Sequence, residues 1–318
     1  MKIYQGCVDN QTTDQKLKNY KFSEMVTAPA PVQWEERAYR TLPVIRNQAQ
    51  SGTCVTQTYA TELGIIFQQK YGVWMDFSAS FPYQKRTVPT VSGCNSVDVF
   101  DVFPKIGDLF EKDMPSQLMG DSKVMSVPKL PYYDDLAIFY KVKRVGLPLD
   151  FETVASTIQE TGKGVMVWFK FSTPEWTNIP QLSDKPITSG HSVCAIDYVL
   201  KNGKKYLVVQ DSWGLEYAMK GYRLISEEYF NARCFFAGYL MNFDFTQPEV
   251  KPKFDGSVSS LQDCLKFEKL FPNNVPSSGV LGTVTKNALI EFQKRYNIVP
   301  AYGNFGPITK AKLFELYP

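Results

Sequence analysis

Asn47-Gln48-Ala49-Gln50-Ser51-Gly52-Thr53-Cys54 is a polar, turn-forming run that gives way at its cysteine to a regular apolar pattern. Beyond Cys54, the residues Val55, Tyr59, Leu63, Ile66 and Phe67 recur at helical spacing, and Gly72 stops the pattern. The expected element is an amphipathic helix that opens at Cys54 and ends before Gly72. Farther along, the apolar runs shorten and grow rich in β-branched and aromatic residues. Strands are expected at Val165–Phe171, Ser192–Leu200, Tyr206–Gln210, Tyr222–Ile225 and Phe236–Met241, with Asn202-Gly203 as a tight hairpin turn. One strong helix followed by an antiparallel sheet is an α+β arrangement.

With 44% apolar and 21% charged residues, the 318-residue chain has globular rather than disordered proportions. Its length suits one large and one small domain. The net charge of +3 argues against nucleic acid as a partner, because tracking a phosphate backbone needs clustered cations. Lys2, Asp9, Asp14, Lys16, Lys18, Lys21 and Glu24 interrupt the start of the chain, so no secretory signal peptide is expected. Nor does any apolar stretch approach the length that membrane insertion requires. These readings predict synthesis in the cytoplasm. The six cysteines form no Cys-x-x-Cys pair, so free thiols are expected rather than a disulfide scaffold or a zinc site.

The chain contains a single histidine, His191, within Ser189-Gly190-His191-Ser192-Val193. Asp211-Ser212-Trp213-Gly214 follows it, directly after the apolar strand Leu207-Val208-Val209. A cysteine at a helix start meets the positive end of the helix dipole, which favours thiolate. An imidazole beside it makes a nucleophile at neutral pH. Asp211, at a strand end, is placed to fix the orientation and tautomer of His191, and Trp213 to shield that bond from water. Gln48 can aim its side-chain amide at the same spot as the Cys54 backbone N–H, which makes a two-donor oxyanion site. Cys54, His191, Asp211 and Gln48 are therefore the candidate catalytic residues.

These segments resemble the papain family of cysteine peptidases over residues 41–245. Asn47-Gln48 with Ser51-Gly52-Thr53-Cys54 is similar to the family's oxyanion glutamine and nucleophile segment, Gly190-His191-Ser192-Val193 to its histidine strand, and Asp211-Ser212-Trp213-Gly214 to its orienting segment. Gly93-Cys94-Asn95 resembles the Gly-Cys-Asn-Gly-Gly run beside the substrate groove, and Gly221-Tyr222-Arg223-Leu224-Ile225 the closing strand. The resemblance implies a two-lobe fold, a helical lobe beside an antiparallel β-barrel-like lobe, that hydrolyses peptide bonds through a thioester without metal or cofactor. It implies substrate contacts at Gly93, Cys94, Asn95, Ser96, Asp98, Gly190 and Trp213, with Asp98 favouring a basic side chain. Three departures stand out. Ser51 replaces the cysteine that pairs with the Cys94 counterpart, Asp211 replaces the usual asparagine, and Ser96-Val97 replace two glycines. The family's long inhibitory pro-segment has no counterpart in the N-terminal arm, residues 1–40, so latency by propeptide is not expected.

Residues 246–256, with Pro248 and Pro252, read as a stiff linker. In residues 257–318, Gly279-Val280-Leu281-Gly282-Thr283-Val284-Thr285-Lys286 recurs as Gly303-Asn304-Phe305-Gly306-Pro307-Ile308-Thr309-Lys310. The glycines suit tight turns, and Thr285 and Thr309 are placed to cap helix starts. With a first helix around Leu261, Leu265 and Leu270, three short helices should enclose a small all-α core. The pattern resembles the peptidoglycan-binding module of many bacterial and phage cell-wall enzymes. It implies bacterial peptidoglycan as a partner, with action at the cell wall after lysis or from a virion.

Competing chemistries fare worse. A zinc hydrolase needs more imidazoles than one. Glu35-Glu36, Asp134-Asp135 and Glu227-Glu228 read as solvated surface rather than as a glycosidase pair. The alternative from another class is a catalytically inactive papain-fold protein with a binding or structural role in a virion.

Overall fold

The computed structural model describes Cys7 and residues 30–243, 252–272, 275 and 277–318. The chain divides into two units, Met1–Phe245 and Thr246–Pro318.

Unit 1 is organised around helix α1, Cys54–Tyr71, which ends at Gly72 in the left-handed region, φ +74°. This helix is not amphipathic in the expected sense. It lies between the sheet and the helical lobe, and almost every residue from Cys54 to Ile66 is buried. Its polar side chains therefore bond across to their surroundings instead of facing water. Gln57 accepts from the buried Arg46 at 2.5 Å, Thr58 pairs with Ser192, Thr61 donates to Gln210, and Glu62 forms a fully buried ion pair with Arg144. The rest of the helical lobe consists of short pieces: α2 Ser80–Gln84, a π turn at Asp98–Val102, α3 Phe103–Ile106, α4 Asp121–Ser126 and α5 Tyr133–Ala137.

The sheet lobe contains β1 Val142–Gly146, α6 Phe151–Thr161, β2 Val165–Phe171, β3 Ser189–Lys201, β4 Lys204–Gln210, β5 Tyr222–Ser226, α7 Glu227–Arg233 and β6 Cys234–Phe243. Its six strands run in the order β1-β6-β2-β3-β4-β5, and every pair is antiparallel. Asn202 and Gly203 both take positive φ, 53° and 71°, as a two-residue hairpin with the sheet's twist demands. Helices α6 and α7, which the periodicity did not announce, start at side-chain caps from Asp150 and Ser226 and cover one face of the sheet. The carboxylates of Glu35-Glu36, Asp134-Asp135 and Glu227-Glu228 are exposed, in keeping with solvated surface.

Residues 30–40 are more firmly docked than an arm would be. Trp34 stacks on Phe151 with ring centroids 5.6 Å apart, Arg37 makes a two-pronged ion pair with Asp197, and Glu36 bridges to Leu200.

Unit 2 packs α8 Val258–Phe267, α9 Thr283–Arg295 and α10 Pro307–Leu316 around Leu261, Leu265, Leu289, Phe292, Leu313 and Tyr317. Most of the expected linker lies outside the described residues, but Phe254, assigned to it from sequence, is buried in this core. The duplicated turns are held by two glutamines. Gln262 accepts from the Gly279 N–H and donates to the Val280 carbonyl and to Thr285. Gln293 repeats the set with Gly303, Asn304 and Thr309. The threonines are thus not helix caps: Gly282 and Gly306 take the cap positions, and each threonine sits inside the first turn, clamped by its glutamine.

Candidate active site

Helix, strand and turn deliver the predicted groups to one place. The register pairs Cys194 with Gln210, so one step farther along β4 Asp211 becomes a diagonal neighbour of His191 on the same face of the sheet. His191 Nε2 lies 2.8 Å from Asp211 Oδ1. The other side of the ring bonds the Cys54 sulfur, which also accepts from the Ser192 N–H. His191 and Asp211 are 2% and 1% exposed, so their interaction is shielded from bulk water.

Electrostatics follow from this contact. Burial pushes the Cys54 thiol up, but hydrogen bonds from Cys7 and His191 and the imidazolium charge outweigh it and bring the thiol down to about 5. Burial works against a charged His191, yet the charge and hydrogen bond of Asp211, reinforced by Cys54, lift it to about 9. Asp211 is buried too, and His191 and Arg223 hold it well below the usual carboxylate range. Between the two values Cys54 and His191 stand as thiolate and imidazolium.

Gln48 joins the site through the orienting segment. Its backbone N–H donates to the Ser212 carbonyl at 2.8 Å, its Oε1 accepts from Ser212 Oγ, and its Nε2 donates to the Ser51 carbonyl at 2.6 Å. Asn47 bridges to Trp213. The approach of the two loops explains Gly52, where an added Cβ would lie 2.2 Å from Ser92 Oγ and 2.7 Å from the Gly93 nitrogen.

Several residues that sequence reasoning passed over complete the site. Arg223 on β5 donates from Nε to Asp211 Oδ2 at 2.7 Å, and Trp176 Nε1 donates to the same oxygen at 3.0 Å. Arg223 had a legible signal, a buried-strand position opposite Val209 in a strand that otherwise faces the core. Cys7 bridges in parallel to Cys94 and shares a buried cluster with Cys54, to which it is electrostatically coupled. Cys7 therefore lies in the groove, and Cys54 is 0% exposed.

The predicted substrate contacts separate into two groups. Gly190 and Cys94 do line the groove, on either side of Cys7, and Trp213 lies with its ring centroid 5.1 Å from that of His191. Gly93, at φ +98°, gives its N–H to Tyr83 and belongs to the wall of a neighbouring pocket. Asn95, Ser96 and Asp98 do something else. Asn95 Oδ1 accepts from the Asp98 N–H and Asp98 Oδ2 from the Asn95 N–H, a reciprocal cap on the turn that follows. Asp98 Oδ1 is taken by the Thr87 N–H. Both Asp98 oxygens thus accept from backbone N–H groups, while Asn95 and Asp98 also line the pocket that Gly93 borders. Ser96 is helical and buried, with no hydrogen-bond partner for its hydroxyl. The pocket beside Cys94 has Val88 and Val91 in its wall and is mainly apolar. Ser51 donates instead to the Gln48 carbonyl, and all six cysteines are free thiols.

The fold is papain-like. Residues 176–239, which carry Trp176, His191, Asp211 and Arg223, match the family model for papain family cysteine protease. The chain is 22% identical over 213 residues to cathepsin K of Gallus gallus, covering 63% of this chain and 59% of that one. It is 24% identical over 220 residues to the oryzain beta chain of Oryza sativa subsp. japonica, covering 64% and 44%. It thus spans about half the length of the curated relatives it matches. Among solved structures, xylellain, a cysteine protease from Xylella fastidiosa, shares the fold with a TM-score of 0.55 at 17% identity, covering 64% of this chain and 84% of that one. Among the described residues, no group of three acidic, cysteine or histidine side chains could hold a metal, and no helix is long and apolar enough to cross a membrane.

Proposed function

We propose that this protein is a cysteine peptidase that hydrolyses peptide bonds through a thioester at Cys54. The observation that carries the reading is the placement of the chain's only imidazole between Cys54 and Asp211. With Cys7 displaced from the groove by substrate, the Cys54 thiolate attacks the substrate carbonyl carbon. The resulting oxyanion takes hydrogen bonds from the Cys54 backbone N–H and from Gln48 Nε2, which carries two hydrogens and gives one of them to Ser51. His191 then protonates the departing amine, the thioester forms, and His191 takes a proton from the water that cleaves it. The pocket with Val88 and Val91 in its wall favours an apolar substrate side chain.

The C-terminal unit supports a further part of the proposal. Two glutamine-clamped glycine turns on three helices suit a small rigid wall-binding module, which would concentrate the peptidase on bacterial peptidoglycan. On this reading the site of action is the bacterial cell wall, reached by lysis or on a phage particle.

Replacing Cys54 by Ala tests the chemistry: hydrolysis of a peptide or of cell-wall stem peptide should disappear, and survival of hydrolysis refutes the assignment. The same inactive full-length variant should co-sediment with purified peptidoglycan sacculi. If it stays in the supernatant, the wall-binding reading is wrong.

A further inference from the structure

Among the described residues, Cys7 lies in the groove and takes no part in the hydrolytic steps. Its main chain bridges to Cys94 on the helical lobe. Against the sheet lobe it approaches Gly190 so closely that an added Cβ there would lie 2.9 Å from the Cys7 carbonyl oxygen and 3.1 Å from its sulfur. Its thiol and the Cys54 sulfur interact electrostatically, and both residues belong to one buried cluster. One cysteine thus lies across the groove from wall to wall, packed in the same cluster as the nucleophile, and only 6% of it is exposed.

We propose that Cys7 is the resolving thiol for Cys54, so that a peroxide converts the pair into a reversible intrachain disulfide that silences and protects the nucleophile. The inference rests on Cys54 being the reactive thiol of the site. The Cys54 thiolate displaces hydroxide from hydrogen peroxide, so sulfur is oxidised to the sulfenic acid and the peroxide reduced to water once a proton is taken up. The Cys7 sulfur then attacks the Cys54 sulfur, the S–O bond breaks, and the Cys7 proton leaves with the hydroxyl group as a second water. A dithiol returns both cysteines to thiols. Forming the bond requires the two sulfurs to close to about 2 Å.

The other cysteines do not compete as first targets. Burial holds Cys94, Cys194, Cys234 and Cys264 above their ordinary value, and Cys54 alone is brought down. Without a resolving thiol, a sulfenic acid at Cys54 proceeds under excess peroxide to the sulfinic acid, which dithiols do not reverse. Cys7 therefore decides whether oxidation is recoverable.

The test uses the full chain, fully reduced, with hydrogen peroxide as the oxidant and a fluorogenic peptide as the substrate. Wild type should lose activity together with about 2 Da of mass, yield a non-reduced peptide pair joining Cys7 to Cys54, and regain activity in dithiothreitol. Cys7→Ser keeps a hydroxyl in the groove, and its own activity in dithiothreitol before oxidation is the reference for its recovery. After the same peroxide dose its recovery should be about tenfold lower, with about 32 Da added to the Cys54 peptide. A link between Cys54 and Cys94, wild-type activity that does not return, or equal recovery in Cys7→Ser overturns the proposal. If reduced wild type and reduced Cys7→Ser both fail to hydrolyse peptide, the peptidase reading fails instead, and the disulfide map still answers for Cys7.

Discussion

Asp211 and Arg223 share a buried ion pair directly behind the catalytic imidazole. One carboxylate oxygen faces His191 Nε2 and the other accepts from Arg223 Nε at 2.7 Å. The guanidinium lies between Trp176 and Trp213, 5.1 and 5.2 Å from their rings, and donates to the Trp176 and Thr177 carbonyls. Carboxylate and guanidinium together carry no net charge. The aspartate that departs from the family's usual asparagine is thus half of a neutral pair, and Arg223 is a positioning residue that acts through it.

A coupled pair should not respond additively to substitution. Asp211→Asn leaves Arg223 buried without its counter-charge and should cost about 3–5 kcal/mol of stability as well as activity. Adding Arg223→Leu to Asp211→Asn removes the orphaned charge and should restore at least half of the lost stability. Thermal melts of both single variants and the double variant measure this, and strictly additive losses would show that the two residues are not coupled.

The pH dependence follows from the opposite displacement of Cys54 and His191. As pH falls through about 5 the thiolate is protonated, and as pH rises through about 9 the imidazolium is lost. The profile of kcat/KM should be a bell with limbs near those values, which belong to the pair rather than to either residue. Alkylation reads the same property without substrate. At pH 6, in reducing buffer, iodoacetamide should modify Cys54 far faster than the other five thiols, and indiscriminate labelling would instead favour the inactive scaffold.

The parts of this molecule that were readable in sequence are those governed by local pattern. Helix α1 showed itself by periodicity and by Gly72, and Asn202-Gly203 by the positive φ that a tight hairpin requires. Strand β1, Val-Lys-Arg-Val-Gly, stayed hidden because an edge strand carries charges that mask alternation. The polar residues of α1 pointed to a solvated face because sequence does not show the sheet that meets Thr58 and Thr61. In the site, a lone histidine with a helix-opening cysteine was legible from rare residue types. Arg223 offered only a weak signal, its place in an otherwise apolar strand, since a charged residue in a strand suggests solvent until its buried partner is known. Cys7 was missed because its contact with Cys54 depends on chain path alone.

Asp98 provides a contrast between a charge that selects and a charge that builds. Its carboxylate accepts from the Thr87 and Asn95 backbone N–H groups. Asp98→Ala should leave the buried Asn95 N–H unpaired at a cost of about 1–3 kcal/mol, while the N–H of the exposed Thr87 can turn to water. The ratio of kcat/KM for substrates with arginine and leucine at the pocket position should stay unchanged. Kinetics with such a peptide pair decide the matter, because a collapse in arginine preference would return Asp98 to the role of specificity residue.

The two glutamines of the C-terminal unit make symmetrical demands. Gln262 and Gln293 each join a left-handed glycine, at φ +73° and +74°, to the threonine of the following helix. Replacement of either by Ala frees the glycine N–H, at about 1–3 kcal/mol if it stays buried, and removes one bond each from a carbonyl and a threonine hydroxyl that remain bonded to each other. In so small a unit, about 1 kcal/mol corresponds to a shift of roughly 4–8 °C in Tm. Differential scanning calorimetry of the full chain should show the C-terminal transition falling by similar amounts in the two variants, with peptide hydrolysis in solution unaffected. Unequal shifts would mean that the duplicated turns, though alike in sequence and hydrogen bonding, do not contribute equally to the fold.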